Sequence, residues 1–453
     1  MNLDCFKAYD IRGRVPYELN ERVAYTIARA VAEELGPQMA IVGRDVRLTS
    51  PALAAAVIDG LSAGGCNVAD IGLCGTEEVY FATAYYRAGA GIMVTASHNP
   101  MDYNGLKIVR EGARPVSADT GLEAIRWRAE RGQFSPRVRG RTGRLYHREA
   151  YIRHLLSLVD PEVMPPLNLL VNPGNGGAGP VLDELDAHLP IQLIRENAEP
   201  DGNFPNGIPN PMLEENRRFT SDAVLSFGGD LGLAWDGDFD RCFFFDSHGE
   251  FVEGYYMVGL LAEASLRAQP GGGQGSRVVH DPRLTWNTIE MVEGAGGVPV
   301  QSKAGHAFMK ETMRRENAVY GGEMSAHHFF RDFYYCDSGM LPWLRVVELM
   351  GRREQSLREM VRERMERFPC SGEINFRVDN MMDAIHRVMV ATDARSGHID
   401  RTDGISVEFP EWRYNLRGSN TEPLLRLNVE TRGDRRLLRR QVEHISAIIE
   451  AGE

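Results

Sequence analysis

"MAIVG" at 39–43, "SPALAAAVIDGLSAGG" at 50–65, "NVADIG" at 67–72, "TEEVYFATAYYRA" at 76–88 and "GIMVTA" at 91–96 alternate short apolar runs with longer segments of helical pattern. That alternation predicts a mostly parallel sheet covered by helices. Ser50 before Pro51 marks one helix start, a capping oxygen with proline at the first helical position. The rhythm returns at "LNLLVNPG" (167–174), "IQLIRE" (191–196) and "LGLAWDGD" (231–238), and again at "RVVHDP" (277–282), "GVPVQSKAG" (297–305) and "AVYGGEMS" (318–325). After Pro369 the text changes to "EINFRV", "DGISVEF", "EWRYNLRGSNTEP" and "LLRLNVETR", closed by a helix from Asp434. The expectation is an α/β chain: three consecutive α/β domains at 1–146, 147–250 and 251–367, then an α+β domain with an antiparallel sheet at 368–453.

A chain of 453 residues exceeds what one core holds. The net charge of −12 argues against non-specific binding of nucleic acid or membranes, while leaving room for a local basic pocket. No apolar run reaches bilayer length, and "MNLDCFKAYDIRG" lacks the pattern of a signal peptide, so a cytoplasmic location is expected. Cys5, Cys66, Cys74, Cys242, Cys336 and Cys370 form no CxxC pair, which suits reduced thiols.

Four short stretches carry the chemistry. In "TASHNP" Ser97 and His98 are adjacent; in an extended segment they would point to opposite faces, so a Ser-His nucleophile pair is not expected, and the stretch also reads as an Asn-Pro turn on an exposed loop. "DGDFDR" sets Asp236, Asp238 and Asp240 at alternate positions after a strand. Carboxylates so crowded raise one another's pKa unless a cation compensates, which asks for a hard divalent metal; a solvated acidic turn is the plain alternative. An EF-hand is excluded, because Arg241 and Ser247 stand where that loop needs Gly and Glu. "GEMSAH" offers Glu323, Ser325 and His327 on one face of an extended stretch, either a clamp for sugar hydroxyls or a solvated edge. "RGSNTEP" gathers Arg417, Ser419, Asn420 and Thr421 as an anion cradle or an ordinary turn. Gly174, Gly176 and Gly179, with Glu196 further on, match a dinucleotide fingerprint, but a tight turn explains those glycines equally well. "QPGGGQG" (269–275) reads as a surface loop.

Taken in order, these four motifs, with "FKAYDIRG" and "NGLKIV", resemble the α-D-phosphohexomutase family, most nearly its bacterial phosphomannomutase/phosphoglucomutase branch. The resemblance implies three related α/β domains and a TATA-binding-protein-like C-terminal domain around a central cleft. It also implies that Ser97 is carried as phosphoserine. Ser97, Asp236, Asp238 and Asp240 would then hold Mg²⁺, and Arg12, His98 and Arg241 would surround the moving phosphoryl group. Lys107 would exchange a proton with the sugar hydroxyl. Tyr9, His306, Glu323, Ser325, His327, Arg417, Ser419, Asn420 and Thr421 would bind substrate. The implied reaction interconverts hexose 1- and 6-phosphates of mannose and glucose through a bound 1,6-bisphosphate, with glucose or mannose 1,6-bisphosphate as activator. The implied partners are small-molecule hexose phosphates, for a monomer or dimer. A Mg²⁺-dependent sugar-phosphate phosphatase using an aspartate nucleophile, and a non-catalytic sugar-phosphate sensor, are the alternatives. Phe239 and Ala326 stand where the family often has glycine; Ala326 is expected to avoid positive φ.

Overall fold

The computed structural model describes residues 3–7, 9–418 and 424–451, of Asp119 only the main chain. It separates into two compact units, Met1–Phe251 with His327–Glu354, and Val252–Ala326 with Gln355–Glu453.

In the first unit, the alternation that opens the sequence builds one mixed sheet. Its strands run in the order Ile11–Arg14, Tyr103–Arg110, Ala90–Val94, Met39–Arg44, Asn67–Leu73, Thr142–Arg144. Met39–Arg44 is parallel to Asn67–Leu73 and to Ala90–Val94, whereas Tyr103–Arg110 returns antiparallel beside Ala90–Val94 with Lys107 opposite Met93. Ala90–Val94 is buried along its whole length, the pattern of a strand covered on both faces. Helix Glu21–Leu35 begins where Asn20 accepts a bond from the Val23 amide and stops at Gly36 in the left-handed region. Helix Ser50–Ala63 carries Pro51 in its first turn as expected, but Ser50 is not its cap. Ser50 is the first helical residue, buried, and its hydroxyl donates to Asp45 Oδ1 at 2.5 Å.

A second sheet holds Asn168–Asn172 between Leu231–Trp235 and Gln192–Arg195, all parallel, with Cys242–Phe245 returning antiparallel beside Leu231–Trp235. His328–Phe330 and Cys336–Asp337 form a short antiparallel pair in the same unit.

In the second unit, Arg277–His280 is flanked by parallel strands Val298–Gln301 and Tyr320–Gly322. The C-terminal sheet is antiparallel throughout, ordered Ile374–Arg377, Leu424–Thr431, Trp412–Gly418, Ile405–Glu408, His398–Asp400. Helices Met381–Ala391 and Arg435–Glu450 cover it, burying Ile385, Val388, Ile445 and Ile449 against Tyr414, Leu416 and Leu427. The fold is thus three α/β domains with mixed sheets followed by an α+β domain. No helix among the described residues is long and apolar enough to cross a membrane.

Candidate active site

Open α/β sheets present ligand-binding loops at the carboxyl ends of their parallel strands. Here Asp45 follows Met39–Arg44, Thr76 follows Asn67–Leu73, Ser97 follows Ala90–Val94, and Asp236 follows Leu231–Trp235. The turn after Val94 is fixed from within: the Ser97 amide donates to Thr95 Oγ1 at 2.8 Å, and the Asn99 amide to the Ala96 carbonyl at 2.9 Å. These bonds hold Ser97 at φ +47. Because the segment turns left-handed instead of running extended, Ser97 and His98 do not point apart. Ser97 Oγ lies 3.0 Å from His98 Nδ1 and donates to Asp236 Oδ2 at 2.9 Å. Ser97 is also buried, 3% exposed, where an exposed loop was expected. His98 Nδ1 accepts from Arg241 at 2.6 Å. Burial, then the charges of Arg241 and Arg12, push the His98 pKa well down, so its ring is neutral at pH 7.

The three aspartates are buried, and one carboxylate oxygen of each lies within 4.8 Å of the others. Their surroundings shift them in opposite directions. Burial raises Asp236 to about 7 even though Arg241 donates to its Oδ2 at 2.7 and 2.9 Å. Burial opposes ionisation of Asp238 and Asp240 too, but Lys107 donates to them at 2.7 and 2.6 Å; Asp238 ends below its ordinary value and Asp240 at about 2. An internal ammonium therefore supplies part of the compensation that the sequence assigned wholly to a metal. Asp238 Oδ2 also accepts from Thr76 Oγ1 at 2.5 Å, while its Oδ1 is buried and has no hydrogen-bond partner among the described residues. An orphaned buried carboxylate oxygen within an all-oxygen donor set fits a hard divalent cation.

Arg12, on the strand beside Gly105, donates to Asp10 at 2.8 Å and to Asn99 Oδ1 at 3.0 Å. Burial lowers its pKa, and Asp10, Asp238 and Asp240 more than offset this. Tyr9 is half-buried. His327 belongs to this unit, where it and Asp337 each bring a ligating atom within 4.8 Å of Asp240.

Phe239 adopts φ +41 and is fully buried. A Cβ on Gly75 would stand 2.2 Å from its ring and one on Gly177 3.3 Å, so two bare glycines form its socket. Gly176 and Gly177 have a role other than dinucleotide binding: the Gly177 amide donates to the Gly237 carbonyl at 3.1 Å, and a Cβ on Gly176 would meet that oxygen at 2.8 Å.

In the second unit, Glu323 follows Tyr320–Gly322 and accepts from the Gly305 amide at 2.6 Å, just ahead of His306, the first residue of helix His306–Glu316. Burial raises Glu323 to about 7 against the pull of Arg283, 3.9 Å away. The stretch after it is not extended. The Ala326 amide donates to the Glu323 carbonyl at 3.0 Å, and Ala326 takes φ +67, the conformation its Cβ was expected to exclude. That closed turn ends the supposed alternation of Glu323, half-buried Ser325 and His327 on one face. Arg417 donates to Glu373 at 3.2 Å; Arg283, at 3.5 Å, and Arg426, at 3.4 Å, share the same carboxylate. Arg283 and Glu373 were missed because only the fold brings them to Arg417. Ser419, Asn420 and Thr421 lie outside the described residues.

The family profiles of phosphoglucomutase/phosphomannomutase match throughout: alpha/beta/alpha domain I at 4–135, domain II at 149–249, domain III at 253–368 and the C-terminal domain at 373–448. The chain belongs to this family. It is 60% identical over 454 residues to a protein of Xanthomonas campestris pv. campestris described as phosphohexose mutases, covering 99% of this chain and 100% of that one. It is 55% identical to the phosphomannomutase of Escherichia coli K12, covering 95% and 96%. Among solved structures, a phosphoglucomutase/phosphomannomutase family protein of Burkholderia thailandensis superposes with TM-score 0.89 at 29% identity, covering 100% and 98%. The parafusin of Paramecium shares the fold, with TM-score 0.79 at 15% identity over 100% and 94%. The chain is accordingly a phosphohexomutase, an isomerase.

Proposed function

We propose that this chain interconverts hexose 1-phosphates and hexose 6-phosphates, those of mannose and also of glucose, by carrying the phosphoryl group on Ser97. The observation that supports this most is the surroundings of Ser97 Oγ: an aspartate of the carboxylate triad at 2.9 Å, and His98 at 3.0 Å, itself bonded to Arg241. The lone pair of His98 Nδ1 is taken by Arg241, so the ring is no free general base for an acyl nucleophile; a phosphoryl carrier needs cations and in-line geometry instead.

Asp236, Asp238, Asp240 and Ser97 would hold Mg²⁺, which when bound neutralises charge on the transferring group as a Lewis acid. Arg241 and Arg12 add fixed positive charge beside Ser97. Lys107, an ammonium between Asp238 and Asp240, supplies charge and an exchangeable proton at the reacting oxygens. Glu323, Ser325, His306 and His327 recognise sugar hydroxyls. Arg417, with Ser419, Asn420 and Thr421, holds the phosphate that is not reacting; Arg283 strengthens that pull, and Tyr9 binds substrate. In the first half-reaction the P–O bond to Ser97 breaks as one forms to the free sugar hydroxyl. The resulting 1,6-bisphosphate turns over and returns its other phosphoryl group to Ser97, so the same compound serves as activator.

In this reading the segments 1–146, 147–250, 251–367 and 368–453 are four domains that each carry one of the motif loops, and the enzyme works in the cytoplasm as a monomer or dimer. The test is a coupled assay of mannose 1-phosphate conversion with Mg²⁺ and catalytic glucose 1,6-bisphosphate, beside intact-mass analysis. Isomerisation with a phosphate adduct on Ser97 is the expected result. Release of inorganic phosphate without isomerisation would replace this reading with a phosphatase.

A further inference from the structure

Arg47 belongs to none of the motifs that announced the site. It lies in the loop after strand Met39–Arg44, with a side chain only 3% exposed. Its guanidinium reaches under the turn that carries Ser97. One terminal nitrogen donates to the carbonyls of Pro100 at 2.8 Å and Tyr103 at 3.0 Å; the other donates to those of Ser97 at 3.0 Å and Asn99 at 2.5 Å. Four main-chain carbonyls of one turn thus converge on a single planar fork, a task that suits guanidinium and not ammonium. Asp45, 3.5 Å from Nε, supplies the counter-charge and is itself held by Ser50 and by the Arg47 amide. The ring of Phe204 lies 5.6 Å from the guanidinium carbon.

The consequence falls on Ser97. A non-glycine residue in the left-handed region is strained and persists only where its surroundings over-determine it. Both peptide planes flanking Ser97 are tied: Thr95 Oγ1 holds its amide, and Arg47 holds its carbonyl. The same carbonyl is approached by the metal loop, since a Cβ on Gly237 would stand 2.8 Å from it. We propose that Arg47 is a positioning residue for phosphoryl transfer, fixing the Ser97 main chain so that Oγ meets Asp236 and His98. This rests on Ser97 being the carrier.

The experiment compares the native protein with Arg47→Lys and Arg47→Ala. Ser97 phosphorylation by glucose 1,6-bisphosphate is followed by intact mass, and kcat and KM are measured for mannose 1-phosphate. Lysine keeps the charge opposite Asp45 but lacks the fork, so Arg47→Lys should fold, keep KM within about twofold, and lose about 100-fold in kcat and in phosphorylation rate. Guanidinium ion should restore part of the Arg47→Ala rate, and methylammonium should not. If Arg47→Ala does not fold, Arg47→Lys decides. Arg47→Lys with unchanged kcat, or equal rescue by both cations, overturns the proposal. A native protein that never gains phosphate on Ser97 overturns the carrier reading instead.

Discussion

Replacing Phe239 by glycine sets two opposed effects against each other. Glycine removes the strain of a side chain at φ +41, a gain of about 1–2 kcal/mol. It also empties a fully buried site, where losing a phenyl ring costs about 3–5 kcal/mol. The ring should win, leaving Phe239→Gly less stable by roughly 1–4 kcal/mol. The socket gives a second handle. Gly75 has φ −96, so alanine is allowed by its backbone, yet its Cβ would stand 2.2 Å from the Phe239 ring. Gly75→Ala should therefore cost about 1–3 kcal/mol in the native background and nearly nothing in Phe239→Gly, because the clash leaves with the ring. Urea denaturation of the four proteins closes this cycle, and Mn²⁺ titration by electron paramagnetic resonance reads whether the aspartate loop has loosened. Equal cost of Gly75→Ala in both backgrounds, or a Phe239→Gly protein as stable as the native one, would refute the reasoning.

Ser97→Ala should abolish isomerisation and the phosphate adduct while changing stability by only about 1 kcal/mol, the scale of one lost hydrogen bond; residual turnover above a hundredth of native in a coupled assay would contradict it. Lys107→Met should lower the metal-free denaturation midpoint, since losing one partner of a buried ion pair costs about 3–5 kcal/mol, and should enlarge the rise in midpoint on adding Mg²⁺, which thermal scans with and without the ion measure. Glu323 is raised from 4.5 to about 7, so the stability it contributes is complete below pH 4.5 and lost as pH rises through 7. Its ionised form is the better acceptor for sugar hydroxyls, so KM should fall several-fold between pH 6 and 8. Glu323→Gln should flatten that limb, and a KM profile identical to native would exclude the assignment.

Periodicity made the layered architecture readable, because strands buried on both faces must be continuously apolar and their helices must intervene. The carboxylate triplet was equally plain, since acidic residues at alternate positions after a strand have few purposes. What escaped was set by torsion angles and by distance along the chain. Ser97 and His98 look divergent in an extended segment, and the left-handed turn that brings them together is enforced by Thr95 and Arg47. Ala326 shows the same blindness: closure onto the Glu323 carbonyl outweighs the preference of its Cβ. Arg47 is far in sequence from the carbonyls it binds, as Arg283 is from Glu373, and no local pattern announces either pairing. Lys107 was assigned to proton exchange, but its part in settling the charge of Asp238 and Asp240 appears only once its strand and the aspartate loop of the next sheet are brought together.

Beside its polar contacts, the aspartate loop meets its surroundings at positions that have no side chain at all: Gly75 and Gly177 against the phenyl ring, Gly237 against the Ser97 carbonyl, and Gly339 against the Phe239 carbonyl, where a Cβ would intrude to 2.3 Å. Hydrogen is the smallest substituent available, so every missense change at these four sites adds bulk and none is conservative. Drift through gradual size steps is closed at Gly75, Gly237 and Gly339 while their neighbours stay as they are, and opens at Gly75 only together with a change at Phe239. Variation that retunes this loop must enter through residues with atoms to spare.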